Sequence, residues 1–266
     1  MKAKIIVATH KEYKMPKDEL YVPLHVGAKI AKTKLPYQRD DDGKNISDKN
    51  PYYCELTGLY WAWKNQDKLG NPDYIGLAHY RRHFTTKKTL AKSSEKRLSK
   101  VLKSEELDKM LEKNDIVLPK KRNYYIENLY DHYVHTLRAE PLDITGKIIK
   151  EKYPKYYNEF KQLKKRKTAH MFNMAIMKKD IFNDYCAWLF DILGELEKRV
   201  DISDYDTFQA RFLGRVSELL LDIYINTNKL DYAELPVIDI EFVNWIKKGA
   251  GFLAAKFFKK KYERSC

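Results

Sequence analysis

The chain has 266 residues, enough for one sizeable domain with a substantial core, and 44% hydrophobic and 13% aromatic residues are typical of a globular protein. A formal net charge of +14 predicts an anionic partner: nucleic acid, an acidic bilayer or a phosphorylated small molecule. Three cysteines without paired spacing (Cys54, Cys186 and Cys266) argue against a disulfide framework or a zinc site and suit a reducing cytosol.

Four short apolar runs predict strands, at residues 4–9, 74–79, 115–118 and 172–177. Between them, residues 36–50 have loop composition, and a helix is expected to follow with Asn50 as its N-cap and Pro51 at its first position. Further helical segments are predicted at 85–113 (a lysine-rich surface insertion), 124–167, 179–199 and 204–226. Strands alternating with helices predict an α/β fold with a largely parallel sheet.

The last part of the chain has the pattern of an amphipathic helix. One face of residues 242–264 carries Phe242, Ile246, Ala250, Leu253 and Phe257, and the opposite face carries Lys248, Lys256 and Lys259. Such a helix can lie in a membrane interface with its cations toward anionic headgroups, although an ordinary helix docked on the domain fits the same pattern. We therefore divide the chain into a domain at 1–240 and a basic tail at 241–266.

The positive charge does not indicate nucleic-acid binding. The lysines are scattered among glutamates and aspartates, and no helix-turn-helix, zinc finger or RNA-binding aromatic signature is present. The apolar N-terminal run is too short for a secretion signal, and no stretch approaches the roughly 20 apolar residues of a membrane span. We expect a cytoplasmic protein, peripheral on the inner face of the cell membrane.

Thr9, His10 and Lys11 follow the first predicted strand. The carboxyl end of this strand is a usual nucleotide site in a doubly wound sheet, and Lys11 could meet a phosphate there. A solvated turn is the alternative.

The acidic loop at 40–47 (DDDGKNIS) has two interpretations. Its carboxylates, Asp40 and Asp42 among them, could hold Mg²⁺, which prefers oxygen ligands and often bridges to phosphates. An acidic loop that contains glycine is also the commonest kind of exposed turn.

The segment YIGLAHYRRH at 74–83 ends a predicted strand in His79, Tyr80, Arg81 and Arg82. Strand alternation would place His79 and Arg81 on one face and Tyr80 and Arg82 on the other. Because guanidinium groups bind phosphate oxygens through two hydrogen bonds, the segment predicts a pyrophosphate clamp, with structural ion pairs as the alternative.

Candidate acids lie in the second half of the chain. The segment at 170–173 (HMFN) is followed by a helical region that contains Asp204, Asp206 and Glu218. One of these carboxylates could serve as a general base, although a charge on a helix surface is the simpler explanation for each.

Five segments together resemble a bacterial family of capsular and exopolysaccharide glycosyltransferases that was long catalogued as a domain of unknown function. They are VATHK, DDDGKNISDKNPYYCELTGLYWAWKN, YIGLAHYRRHF, FNMAIMKKDIF and RFLGRVSELLLDIY, and the resemblance covers residues 4–226. It implies a GT-A-like fold, UDP-sugar donors and activities that include galactofuranosyl transfer. HYRR stands where ordinary GT-A enzymes have a metal-binding Asp-x-Asp, so Mg²⁺ or Mn²⁺ is not expected at that position, while the loop at 40–47 keeps a metal site open.

The resemblance also implies roles for residues of the site. The nucleotide-sugar site is expected to contain Thr9, His10, Lys11, Asp40, Asn45, His79, Tyr80, Arg81, Arg82 and Asn173. Arg81 would offset the charge of the departing diphosphate. Asp206 or Glu218 would be the general base if the reaction inverts the anomeric centre.

These observations predict a hexosyltransferase that uses a UDP-sugar. The acceptor is expected to be polyprenyl-linked or a growing polysaccharide of a capsule, exopolysaccharide or O-antigen, and the basic tail would keep the enzyme at the anionic membrane surface. The alternative is a non-catalytic, membrane-associated scaffold of a polysaccharide assembly complex that retains the fold.

Overall fold

The computed structural model describes residues 1–242. The predicted tail at 241–266 therefore lies outside the described residues, except for its first two positions. None of the helices within 1–242 combines the length and the apolar content that a membrane crossing requires.

The described chain alternates strands and helices. The strands are β1 (Ala3–Thr9), β2 (Tyr21–His25), β3 (Gln38–Arg39), β4 (Tyr74–His79), β5 (Arg82–Phe84), β6 (Ile116–Pro119), β7 (Arg122–Asn123), β8 (Thr168–Ala169), β9 (Ala175–Lys178), β10 (Ala233–Leu235) and β11 (Val237–Asp239). The α-helices are α1 (Asn50–Tyr53), α2 (Leu56–Lys64), α3 (Ser94–Leu98), α4 (Ser104–Leu111), α5 (Leu129–Thr136), α6 (Glu140–Lys152), α7 (Pro154–Lys161), α8 (Lys179–Arg199) and α9 (Phe212–Asn228). Short 3₁₀ turns occupy Ser47–Lys49, Gln66–Leu69, Gln162–Lys164 and Gln209–Arg211.

The central sheet has the strand order β10-β6-β9-β4-β1-β2-β3. Along this path only β9 runs against the others, because it pairs antiparallel with both β4 and β6 while the remaining neighbours are parallel. The strand β5 turns back on β4 and pairs with β11, and β7 and β8 form a separate two-stranded ribbon. The prediction of a mostly parallel α/β sheet flanked by helices is confirmed.

Both faces of the sheet are covered, as an apolar run without alternation requires. In β1, Ile6 and Ala8 face the larger core, to which α2, α8 and α9 contribute. Ile5 and Val7 face a second core on the opposite side. All four of these side chains are at most 3% exposed.

The segment at 85–113 is more than the surface insertion that its lysines suggested. It contains the short helices α3 and α4, and its sparse apolar residues Val101, Leu102, Leu107 and Leu111 are buried in the second core. They cover the face of the sheet that α2, α8 and α9 leave open. The lysines on the other side of the segment explain its polar composition.

The helix expected at Asn50 differs from the prediction. Lys49 is the N-cap of α1 and Asn50 is its first residue, with the Asn50 Nδ2 donating to the carbonyl of Cys54 at 2.7 Å. The helix ends at Tyr53, and Cys54 adopts φ 53° before α2 begins. The backbone break leaves Glu55 between two helices.

The helix predicted at 204–226 begins later, with Phe212 at the start of α9. The residues before it form a loop and a 3₁₀ turn. The side chain of Asp206 accepts hydrogen bonds from the backbone N–H groups of Phe208 and Gln209, at 2.9 and 2.7 Å. Such contacts favour a turn over a continuous helix.

Candidate functional site

The carboxyl ends of β1, β2 and β4 lie side by side. Thr9 is the register partner of His25, and Ala8 is the register partner of His79. The hydroxyl of Thr9 donates to the carbonyl of Lys11 at 2.6 Å, which turns the chain as it leaves the sheet. Side chains from three strand ends therefore share one edge of the sheet, the position where open α/β sheets bind ligands.

A tight hairpin gives the HYRR segment its geometry. The strand β4 ends at His79, Tyr80 and Arg81 form the turn, and Arg82 returns directly opposite His79. The predicted alternation of faces was therefore wrong, because residues directly opposite in an antiparallel pair share a face. His79 and Arg82 both contact Phe172: the Nε2 of His79 lies 2.6 Å from the Phe172 carbonyl oxygen, and the Arg82 guanidinium carbon lies 4.5 Å from its ring centroid.

The imidazole of His10 and two cations surround the ring of Tyr80, and we call His10, Lys11 and Arg81 the cationic edge. The ring of His10 meets Tyr80 edge-on at 5.3 Å, and the Lys11 amine and the Arg81 guanidinium each lie 5.2 Å from the Tyr80 centroid. Burial lowers the pKa of His10, and Lys11 and Arg81 lower it further. Among residues 1–242, no carboxylate lies within ion-pair distance of Lys11 or Arg81. The cationic edge thus presents positive charge that the described chain leaves uncompensated.

Arg82 differs from Arg81 in having an acidic partner. Its Nε donates to Asp239 at 3.1 Å, where β5 pairs with β11. Arg82 therefore also holds the hairpin to the sheet edge, as the structural alternative anticipated.

Two acids, Glu55 and Glu218, form what we call the acid pair. Burial raises the pKa of Glu218, which is 12% exposed, and the charge of Glu55 raises it further. The cations Arg215, Arg82 and Arg122 oppose this shift, with an Arg215 nitrogen 3.8 Å from the Glu218 carboxylate. A carboxyl group whose pKa is raised toward neutrality suits a general base better than an ordinary glutamate does.

Asn173 connects the acid pair to the loop before β9. Its Nδ2 donates to Glu55 at 2.7 Å and to the carbonyl of Gly214 at 3.0 Å. Burial lowers the pKa of His79 and the guanidinium groups beside it add to that effect, whereas Glu55 opposes it. Sequence reasoning did not single out Glu55, since its position depends on the break at Cys54.

Arg211 interacts electrostatically with both the cationic edge and the acid pair. Its Nε donates to the Cys54 sulfur at 3.2 Å, and this neighbour, together with Glu55 and Glu218, raises its pKa. The same guanidinium contributes to the lowered pKa of His10. Arg211 thus acts electrostatically on residues of both groups.

The remaining predicted residues of the acidic loop have local partners. Asp40 is fully buried, and its carboxylate accepts from the backbone N–H groups of Gly27 and Ala28 and from the Ser47 hydroxyl. These bonds hold the loop after β2 in place. The side chain of Asn45 likewise bonds within its own loop, to the carbonyls of residues 41 and 43.

Asp42 points to a different partner from Asp40. Its carboxylate forms an ion pair with Lys68 at 2.6 Å. In the described part of the chain, no three His, Cys, Asp or Glu side chains converge as the ligands of a metal ion would. Asp40 and Asp42 are thus engaged separately, and a shared cation would have to displace contacts that shape the loop.

The chain has a mostly parallel α/β sheet with cations at the carboxyl ends of its strands. This fold is similar to that of a glycosyltransferase. The structure of the WbbM bifunctional glycosyltransferase in its apo form matches with a TM-score of 0.82 and 33% identity. The match covers 92% of this chain and 46% of that one, so the chain spans about half the length of that protein. No match was found among curated proteins.

The chain belongs to the family described as a domain of unknown function (DUF4422), whose model matches residues 4–229. The resemblance stated from the sequence motifs, to a glycosyltransferase-like family long catalogued as a domain of unknown function, is confirmed. The matched range includes the cationic edge, the acid pair and the hairpin.

Proposed function

We propose that the chain is a glycosyltransferase that moves a hexosyl group from a UDP-sugar to a polyprenyl-linked or growing cell-surface polysaccharide. The observation that carries this proposal is the unpaired cationic edge beside an acid pair of which Glu218 is largely buried, at the end of the sheet where nucleotides bind in such folds. The similarity to a bifunctional glycosyltransferase supports it. Galactofuranose is the sugar that we favour.

In the proposed reaction, Glu218 removes the proton from an acceptor hydroxyl while that oxygen attacks the anomeric carbon of the donor. The bond between the anomeric carbon and the phosphate oxygen breaks, and its electron pair leaves with UDP. Arg81 and Lys11 offset the charge that grows on the diphosphate. Attack opposite the leaving group inverts the anomeric configuration.

The other residues take supporting roles in this proposal. Thr9 and His10 border the nucleotide, while Tyr80 and Asn173 contact sugar hydroxyls. Arg82 adds charge near the diphosphate while anchoring the hairpin to Asp239.

Three of the residues predicted from the sequence, Asp40, Asn45 and Asp206, have no direct role in the proposed reaction. Asp40 and Asn45 shape the loop rather than touch the ligand, because that loop occupies their polar atoms. Glu218 is preferred to Asp206 as the base, because Asp206 is exposed and its carboxylate is engaged by two backbone N–H groups.

Incubation with a panel of radiolabelled UDP-sugars and a polyprenyl-linked acceptor tests the function. We expect transfer with one donor and release of UDP. Absence of both transfer and UDP binding for every donor would instead favour a non-catalytic scaffold.

Transfer is expected to continue in excess EDTA. The end of β4 and the turn after it supply an imidazole and a guanidinium group where carboxylates would be needed to hold a divalent cation, and Asp42 is paired with Lys68. Initial rates with and without Mg²⁺ or Mn²⁺ measure this. Loss of transfer in EDTA and recovery with either metal would instead direct attention to Asp40 and the loop around it.

Attachment to an anionic membrane is a proposal that rests on the sequence of the tail. Deleting residues 242–266 is expected to release the protein from vesicles that contain phosphatidylglycerol but to leave transfer to a short, soluble acceptor unchanged. Co-sedimentation measures the first effect. Binding that persists after the deletion would mean that the tail does not carry the attachment.

A further inference from the structure

A buried histidine, His170, lies between two carboxylates immediately before the loop at 171–173. His170 is 0% exposed, and its Nδ1 is hydrogen bonded to the carboxylate of Asp222 in α9. The backbone N–H of His170 donates to the other oxygen of Asp222 at 3.1 Å. On the opposite side of the ring, Nε2 lies 2.9 Å from a carboxylate oxygen of Glu234 in β10.

This arrangement fixes the imidazole in both position and orientation. An ionised carboxylate can only accept, so each ring nitrogen must donate for both bonds to form. The ring of Tyr232 packs edge-on against the imidazole at 5.0 Å, and Lys121 donates to the Tyr232 hydroxyl at 3.0 Å. Well-packed apolar side chains often provide as much stability as a buried ionic group, so stability alone is a weak explanation for the cluster.

The loop immediately after His170 carries backbone strain. Phe172 and Asn173 have φ values of 77° and 54°, in the left-handed region that residues other than glycine seldom adopt. Such conformations persist only where the surrounding structure holds them, and they are concentrated at functional sites. The bonds from Asp222 and Glu234 hold the chain two residues before the strained pair.

The same strained pair makes the contacts that organise the site. The carbonyl of Phe172 meets the Nε2 of His79, and the side-chain amide of Asn173 donates to Glu55. A shift of the loop would change both contacts together. The loop therefore connects the His170 cluster to the strand end that carries the cationic edge and to one member of the acid pair.

We propose that His170, clamped between Asp222 and Glu234, is a positioning residue that sets the loop at 171–173 and, through Asn173, the orientation of Glu55 in the site. It touches no substrate, and its effect on turnover rests on the proposed function. Its effect on the geometry of Asn173 does not depend on the proposed function.

Replacing Glu234, the partly exposed partner of His170, tests the proposal without creating a cavity in the core. Glu234→Ala is expected to lower kcat by about 10- to 100-fold through misplacement of the site, with little change in the KM for the donor. Glu234→Gln keeps an acceptor for Nε2 and should recover most of the rate. Asp231→Asn, an exposed acid near the start of the same strand, is the matched control and should behave like the wild type.

A double-mutant cycle separates positioning from general destabilisation. If Glu234 acts through the loop, Glu234→Ala should cost far less in an Asn173→Ala background than in the wild type, because interacting residues are not additive. Full additivity of the two losses would overturn the proposal.

A measurement on the folded protein keeps this test independent of the reaction. In a ¹⁵N-labelled sample, the side-chain amide resonances of Asn173 should shift in Glu234→Ala and remain in place in Asp231→Asn. An unchanged Asn173 signal in Glu234→Ala would contradict the proposal. If the wild type transfers no sugar but the signal shifts, the proposed function fails and the positioning role stands.

Discussion

Replacing Arg81 with alanine is expected to lower kcat for transfer by about 10²- to 10³-fold, the usual loss when one preorganised donor to a developing negative charge is removed. The side chain projects from the hairpin turn, and Tyr80 is its ring neighbour at 5.2 Å. Its loss should therefore change the free energy of unfolding by less than about 1 kcal/mol. Steady-state rates with the preferred UDP-sugar, together with thermal unfolding, measure both effects.

Two further variants test whether the effect is specific to the Arg81 guanidinium. Arg81→Lys keeps the charge and loses the planar pair of donors, so it should recover part of the rate. Arg199→Ala removes a partly exposed arginine at the end of α8 that pairs with Glu151, and it should leave transfer unchanged. Turnover in Arg81→Ala within twofold of the wild type would remove the hairpin from the reaction.

Replacing Glu218 with glutamine is expected to lower kcat by about 10²- to 10⁴-fold, because glutamine fills the same space but cannot take a proton. In the wild type, kcat should fall on the acid side as Glu218 becomes protonated. Because burial raises the pKa of this carboxyl, the fall should occur at a higher pH than an ordinary glutamate would give. The pH dependence of kcat in the wild type measures this.

Although it lowers kcat, the same substitution should raise the stability of the folded protein near neutral pH. The folded-state pKa of Glu218 lies above its unfolded value, so the folded protein binds the proton more tightly. That contribution to stability is complete below the unfolded pKa, about 4.3, and is lost as the pH rises through the folded pKa. Near neutral pH, Glu218→Gln should therefore unfold at a higher temperature than the wild type, and the difference should vanish in acid.

Glu112→Gln is the matched control for Glu218, since it changes an exposed glutamate at the end of α4. It should alter neither kcat nor the pH dependence of the unfolding temperature. Full activity in Glu218→Gln, or destabilisation of that variant at neutral pH, would contradict the role given to this buried acid.

Strands and helices with a strong local sequence pattern could be predicted from the sequence. The strand at 74–79 and the helix at 179–199 occur at their expected positions, because an uninterrupted apolar run and a long amphipathic period each have one favourable structure. The strand β2 was missed. It is five residues long and includes Pro23, which weakens a strand signal.

The site was harder to predict than the fold. The turn at Tyr80 and Arg81 lacks the glycine and asparagine that usually announce a two-residue hairpin, so His79 and Arg82 were assigned to opposite faces. Glu55 enters the site because Cys54 adopts a positive φ, which its residue type does not signal. Glu218 was named from its place in the chain, and its burial became evident only once α9 was packed against the sheet.

The contacts of His170 could not be predicted from the sequence, because they form only in the tertiary fold. Its partners lie 52 and 64 residues away along the chain, on a helix and a strand that meet only in the folded protein. No periodicity connects these positions. The sequence marked the segment at 170–173 as a candidate, and the packing of α9 and β10 shows what holds it.

In the proposed reaction, Arg81 and Lys11 take up the charge that develops on UDP at the carboxyl edge of β1 and β4. A crystal structure with UDP bound tests it most directly. We expect β-phosphate oxygens within about 3 Å of the Arg81 guanidinium, with the Lys11 amine also facing the diphosphate. A structure with UDP seated elsewhere, and with Arg81 turned away to an acidic partner of the chain, would contradict it.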